Sequence, residues 1–386
     1  MSAAPPARNP EFGAPATGRL ALVRGQGARL WDDAGRSYVD LGATHGVGNL
    51  GAHPPELLRA IEAQAKELLY LGSGYANPVR TKFVERLLSL LPGSFGSVFL
   101  SNSGTEAVEA ALKVARSATG RTRVVAAMRG FHGRTMGALS ATWRRELKEP
   151  FEPLVPGFVH VPYNDVAALE RAVDDSTALV LLEPVQGEGG VHVASEEYLR
   201  AARAVTQRTG ALLAFDEVQT GLGRTGRLFA FERWNVVPDL LMLAKSLAGG
   251  LPIGATVIAS EVAPRFRGSH HSTFGGNPLT CAAGLAALDY VVGERLPERA
   301  ERLGANGLER LRSLPPEKVR EVRGLGLMIG VELREKVAPY LAKLESRGFL
   351  AIPAGATVIR LLPPLVITEE DWDSGLNAIA EVVGGG

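Results

Sequence analysis

The sequence predicts an α/β protein: a large domain with a mostly parallel, seven-stranded sheet, plus a smaller α+β domain. Three observations lead there. Seven short, predominantly apolar runs (98–100, 124–127, 158–161, 178–182, 211–215, 239–243 and 255–259) alternate with stretches of helical periodicity such as 166–173 and 196–208. Strands apolar on both faces belong in a sheet covered on both sides, which parallel strands joined by helices provide. Beyond about residue 275 the pattern changes: a polar helical stretch, 296–314, leads through Pro315-Pro316 to 319–332, 339–346 and 358–362, read as two or three strands with helices on one side. Finally, 386 residues exceed one ordinary core.

In chain order, residues 1–18 are rich in Ala and Pro and read as a mobile tail. Residues 19–60 read as the first segment of the small domain, with short strands over 19–41 around a turn at Asp33-Ala34-Gly35. Residues 61–275 form the large domain, and 276–386 supply a linking helix and the rest of the small domain.

Composition excludes several classes. Hydrophobic residues make up 46% and charged ones 22%, as in a globular protein. A net charge of +1 gives no footprint for nucleic acid or an acidic membrane face. The single cysteine, Cys281, rules out an intrachain disulfide and a cysteine-based zinc cluster, and reads as a small core residue; no metal is expected. No apolar run approaches the roughly 18 residues that span a bilayer, and the first residues lack an apolar signal core. A cytoplasmic enzyme is expected.

The chemistry-bearing residues follow the apolar runs, at the strand ends where open α/β sheets bind ligands. Lys245 ends the run 239–245 and precedes Ser246-Leu247-Ala248-Gly249-Gly250. Desolvation there favours its free amine, the form that attacks a carbonyl. Asp216 ends another run 29 residues upstream and opens Asp216-Glu217-Val218-Gln219. A lysine alone at such a place reads as a surface residue; a lysine with an aspartate is the pairing that pyridoxal phosphate chemistry requires.

Ser101-Asn102-Ser103-Gly104-Thr105-Glu106 follows the first run and opens a helical pattern. Ser103 and Glu106 have capping-box spacing. Alone the segment reads equally as a plain capped helix; beside Lys245 and Asp216 it reads as an anion site at a helix N-terminus. Met128-Arg129-Gly130-Phe131-His132-Gly133-Arg134-Thr135 offers Phe131 as a stacking face for a planar ring and Arg134 as a fork for a carboxylate, with His132 structural or next to the cofactor. Glu188 lies among glycines in Gly187-Glu188-Gly189-Gly190, a mobile carboxylate able to pair reversibly with an arginine. Ser272-Thr273-Phe274-Gly275-Gly276 sets two hydroxyls before a glycine turn, a weaker sign of anion contact.

Together these segments resemble the class III pyridoxal phosphate aminotransferases, most closely the acetylornithine aminotransferase family with its relatives that act on aminoadipate semialdehyde held by an amino-group carrier protein. The resemblance runs from about Leu22 to Val383. It implies a fold-type I transferase and a homodimer. Lys245 would hold pyridoxal 5'-phosphate as a Schiff base and shuttle the proton; Asp216 would pair with the ring nitrogen. Gln219 would meet the ring hydroxyl, with Val218 also against the cofactor. Ser103, Gly104 and Thr105 would bind the phosphate, Phe131 would stack on the ring, and Thr273 would reach the neighbouring subunit's phosphate. Arg134 and Ser272 would touch substrate. Arg360, in Val358-Ile359-Arg360-Leu361-Leu362-Pro363-Pro364, would bind the α-carboxylate of glutamate or 2-oxoglutarate, with Glu188 covering it for terminal amines and swinging aside for glutamate.

One position departs from the family pattern. His45, ten residues before Pro55, stands where relatives often carry tyrosine or an aliphatic residue, in a loop that shapes the substrate pocket. The expected activity is an ω-amino transfer between glutamate and a terminal semialdehyde in lysine or arginine biosynthesis. Two donors or acceptors stay open: free N-acetylornithine, and aminoadipate semialdehyde on an acidic carrier, which Arg144, Arg145 and Lys148 would receive. An aminomutase, a decarboxylase or a cofactor-retaining regulatory protein are rival readings; the pairing of Glu188 with Arg360 favours transamination.

Overall fold

The structure is a computed structural model that describes residues 20–72 and 74–385; the tail expected at 1–18 lies outside them. All seven expected strands form, and all join one sheet: β1 Phe95–Ser101, β2 Arg123–Ala127, β3 Phe158–Val161, β4 Thr177–Leu182, β5 Leu212–Asp216, β6 Leu240–Leu243 and β7 Gly254–Ala259, in the order β1-β7-β6-β5-β4-β2-β3. Strands β4, β5 and β6 are buried at every residue, which explains their unbroken apolar runs. Only β7 runs against its neighbours, pairing antiparallel with β6 and β1. The carboxyl ends of the other six therefore share one edge, and β7 begins there, with Gly254 opposite Ser101.

Helices cover both faces. Helix Gly104–Thr119 packs its buried side, Ala107, Val108, Ala111 and Ala115, on the sheet, and ends at Gly120 in the left-handed region (φ 69°). Helix Glu196–Thr209 is capped by the Ser195 side chain. Cys281 is fully buried in helix Pro278–Gly293, in agreement with its reading as a core residue.

Segments from the first and last parts of the described chain share a separate sheet. Strands Leu22–Gln26, Arg29–Asp32 and Ser37–Asp40 form an antiparallel set to which Phe349–Leu350 adds in parallel. The C-terminal sheet has four strands, not two or three, in the order Val319–Leu325, Met328–Leu333, Val358–Leu361, Ile352–Ala354. The unforeseen strand, Ile352–Ala354, holds Pro353 and lies at the sheet edge, where a missing N–H is tolerated and where the residue hides the strand pattern.

Candidate active site

The strand ends surround a cavity of about 430 Å³ lined by Ser103, Gly104, Thr105, Phe131, Arg134, Glu188, Asp216, Val218, Gln219 and Lys245, with Pro252 and Ile253 leading into β7. Ten of the residues expected from the sequence are thus brought together. Lys245 opens a short 3-10 turn directly after β6 and has φ 45°, a strained value for a side-chain-bearing residue. Burial holds its amine below the usual lysine value, against the opposing pull of Asp216 and Glu188.

Asp216 ends β5 and is buried, 5% exposed. Its Oδ1 accepts from the Val218 N–H at 3.1 Å, and its Oδ2 lies 2.8 Å from Nδ1 of buried His132. Burial opposes charge on His132, but Asp216 and Glu183 outweigh it and raise the imidazole above its usual value. Glu183, immediately after β4, accepts from the N–H groups of Phe131 (2.9 Å) and Gly187 (3.2 Å). Burial, with Asp216 adding to it, pushes Glu183 up to about 7 against the pull of His132. Behind Asp216, buried Glu217 accepts from the N–H groups of Ala230 and Phe231 at 2.6 and 2.9 Å, which pins the 216–219 turn.

The helix starting at Gly104 aims its N-terminus into the cavity. Its first N–H groups have no partner within the helix and suit an anion. Ser103 caps it: Oγ accepts from the Glu106 N–H and donates to Glu106 Oε2 at 2.8 Å, while that carboxylate also accepts from the Asn102 N–H. A Cβ at Gly104 would stand 2.8 Å from Val218 Cγ1, so glycine is what allows the helix start to close on the 216–219 turn. Thr105 Oγ1 meets Thr135 Oγ1 at 2.8 Å and ties the helix to the Phe131 loop.

Behind the lining residues Glu188 and Gln219, Arg360 is fully buried on its strand. Its Nη1 donates to Glu188 Oε1 at 2.6 Å and to Gln219 Oε1 at 3.2 Å; its Nη2 lies 3.0 Å from His45 Nδ1 and 3.2 Å from the Pro353 carbonyl. Burial works against charge on Glu188, but His45 and Arg360 prevail and hold it at about 2. Gln219 faces the cavity with both ends of its amide engaged here: Nε2 donates to the His45 carbonyl at 3.1 Å. A Cβ at Gly187 would collide with Gln219 Oε1, so the glycine lets the Glu188 loop pass. Ala43, Thr44 and His45 all have positive φ (42°, 49°, 59°), a strained turn held by Asp40 Oδ1, which accepts from the N–H groups of Gly42 and Ala43.

Ser272 and Thr273 do not reach this cavity within the chain. They line a separate one with Asn102, Glu106 and Lys113, where Ser272 Oγ accepts from Asn102 Nδ2 at 3.2 Å. Arg134 lies exposed at the mouth, its guanidinium 5.9 Å from the Phe151 ring centre. Glu183 was not foreseen as part of the site. Its signal was present: a carboxylate directly after a fully apolar strand, at the level of Asp216 and Lys245.

This arrangement fits pyridoxal phosphate: an amine, a buried carboxylate braced by an imidazole, an aromatic wall and an anion-binding helix start share one cavity. The family model Aminotransferase class-III matches residues 13–383. The chain is a class-III aminotransferase. The aminotransferase is 48% identical over 367 residues to an acetylornithine aminotransferase from Methanopyrus kandleri, covering 94% of each chain. It is 47% identical over 368 residues to a [LysW]-aminoadipate semialdehyde transaminase from Deinococcus radiodurans, covering 94% of this chain and 86% of the relative. Among solved structures, an ornithine aminotransferase from Toxoplasma gondii, with partial occupancy of pyridoxal phosphate at its active site, superposes with a TM-score of 0.92 at 35% identity, covering 96% and 91% of the two chains. The aminotransferase is pyridoxal phosphate-dependent, and its sheet is that of the fold-type I enzymes. Among the described residues, no helix is long and apolar enough to cross a membrane.

Proposed function

We propose that the enzyme moves an amino group between glutamate or 2-oxoglutarate and a terminal amino-acid semialdehyde of lysine or arginine biosynthesis, the semialdehyde being presented by an acidic amino-group carrier protein. The observation that carries the reading is the Arg360–Glu188 ion pair at 2.6 Å, whose Glu188 lines the cavity that holds Lys245. A buried guanidinium is a strong site for an α-carboxylate, and a carboxylate on a glycine-rich loop is a cover that can be displaced.

Bound pyridoxal phosphate supplies the carbonyl carbon that takes up the amino group and the electron-withdrawing ring that acidifies the adjacent C–H. Gly104 and Thr105 hold its phosphate end through N–H groups, with Ser103 keeping the helix start in place. Phe131 and Val218 line the ring's space. Asp216, kept in position by His132, would pair with the ring nitrogen. Lys245 would hold the cofactor, and its depressed amine, when free, would take the substrate proton and return it. Arg360 orients glutamate; with Glu188 on Arg360, only a substrate without a carboxylate at that end enters. Arg134 meets the distal group of the substrate at the mouth.

A second cavity of about 780 Å³ shares Phe131 and Glu188 with the first and is lined by Arg129, Trp143, Arg144, Arg145 and Lys148, with Glu146 and Glu152 among them. This basic rim supports a macromolecular acidic carrier. Exposed Tyr70, Tyr75 and Phe274, together with Ser272 and Thr273 outside the chain's own cavity, support a homodimer in which Thr273 serves the neighbouring site and Ser272 borders it. A cytoplasmic location fits this chemistry. The test is kcat/KM with carrier-bound aminoadipate semialdehyde and with free N-acetylornithine, each against the glutamate half-reaction. A preference for free N-acetylornithine, unchanged by carrier, sinks the carrier reading in favour of a dedicated acetylornithine aminotransferase. No glutamate half-reaction sinks the whole.

A further inference from the structure

We propose that His45 is a positioning residue of the carboxylate gate: its Nδ1 accepts from Arg360 while Glu188 covers that arginine, and donates to Glu188 once a substrate carboxylate has displaced it. The inference rests on the functional reading above. It starts from a triangle: Arg360 Nη2 to His45 Nδ1 is 3.0 Å, Arg360 Nη1 to Glu188 Oε1 is 2.6 Å, and Glu188 Oε1 to His45 Nδ1 is 3.5 Å. A guanidinium has only donors, so Nδ1 faces Arg360 with its lone pair and the ring proton sits on Nε2. When Arg360 turns its Nη groups to an incoming α-carboxylate, Nδ1 loses its donor at the moment Glu188 loses its partner. The two groups left over lie 3.5 Å apart, a few tenths of an ångström beyond ordinary hydrogen-bond distance, and a proton on Nδ1 joins them.

Two further features fit a built catch. The His45 backbone is fixed where its ring is not: Gln219 Nε2 holds the carbonyl at 3.1 Å, and the side chain is 53% exposed. The ring can therefore exchange its proton with water while keeping its place. The turn that presents it is strained at Ala43, Thr44 and His45, conformations that persist only where surroundings demand them. The charged groups facing the ring are Glu188 from the glycine-rich loop and Arg360 from strand Val358–Leu361; Gln219 adds a neutral amide from the 216–219 turn.

The experiment uses the pyridoxal phosphate holoenzyme in single turnover, with glutamate and with a terminal-amine substrate, read by the cofactor's absorbance. For His45→Ala the apparent Kd for glutamate rises about tenfold, since an opened gate leaves Glu188 unpartnered. The terminal-amine half-reaction, run with the gate closed, loses at least about threefold less than glutamate binding does. His45→Gln, whose amide can accept from Arg360 and donate to Glu188, restores glutamate binding to within about threefold of the native enzyme. Equal losses in both half-reactions, no loss with glutamate, or a glutamine variant no better than alanine each overturn the proposal. Native enzyme without a glutamate half-reaction overturns the functional reading instead.

Discussion

Asp216 and Lys245 stand at the ends of adjacent strands, paired in register through Asp216 and Met242, whereas Arg360 meets Glu188 and His45 across 172 and 315 residues of chain. The first region is a rigid fixture. Its carboxylate is buried, its helix cap is internal to one segment, and its turn is pinned from behind by Glu217. The second is assembled from a strained turn, a glycine-rich loop and an inner strand of the C-terminal sheet, and its ion pair has one half-exposed neighbour. In the proposed reading, chemistry common to both substrates rests on the sheet, and selection between two substrate shapes rests on a turn and a loop outside it.

The sharpest way to break this division is Lys245→Ala. Removing the group that holds and moves the proton lowers single-turnover rates with both substrates by roughly 10⁴-fold or more. A variant that lost one half-reaction and kept the other would move Lys245 from the shared fixture to the selective end.

A smaller effect concerns the fixture's charge. Glu183 rises from its ordinary 4.5 to about 7 in the folded state, so folding favours its protonated form. That contribution is full below pH 4.5 and is lost as pH rises through 7, about 3 kcal/mol in all. Thermal melts of the cofactor-free protein between pH 5 and 7.5 therefore fall with pH, and Glu183→Gln flattens the slope. At the gate the sign reverses. Glu188 is depressed to about 2, so its ion pair persists down to acid pH and dissolves only as pH falls through that value.

Glu188→Gln sharpens the comparison. With the competing charge gone, glutamate binds Arg360 about five- to tenfold more tightly in equilibrium titration, while the rate of the chemical step stays within about threefold. A large change in that step would tie the gate to the fixture. Ser103→Ala is the mildest: losing the cap costs about 1 kcal/mol of stability by denaturant unfolding.

The two regions also differ in how far the sequence discloses them. Strand-end chemistry is local: an apolar run, then Lys245, Asp216 or the Ser103–Glu106 box, places each residue at one sheet edge without further information. Such runs also gave all seven strands. The Arg360 partners carry no local mark. Nothing around His45 states that its ring meets a residue 315 positions away, and only resemblance linked Glu188 to Arg360. Gln219, expected at the ring hydroxyl, lines the cavity and also has its amide engaged by Arg360 and the His45 carbonyl, a link no local pattern announces, because strand Val358–Leu361 approaches from another part of the chain. Glu183 went unnoticed because one carboxylate after a strand is common; its meaning comes from His132 and Asp216 converging on it in space.

The 216–219 turn spans both regions. Asp216 meets His132 in the proposed cofactor cavity, and three residues on, Gln219 braces Arg360. The turn thus acts as a gauge. It sets the spacing between the atom where nitrogen changes hands and the guanidinium that grips a carboxylate. Molecules are measured against a stretch of backbone whose length is fixed by the sheet, and the gate decides only whether the far mark on that gauge is in use.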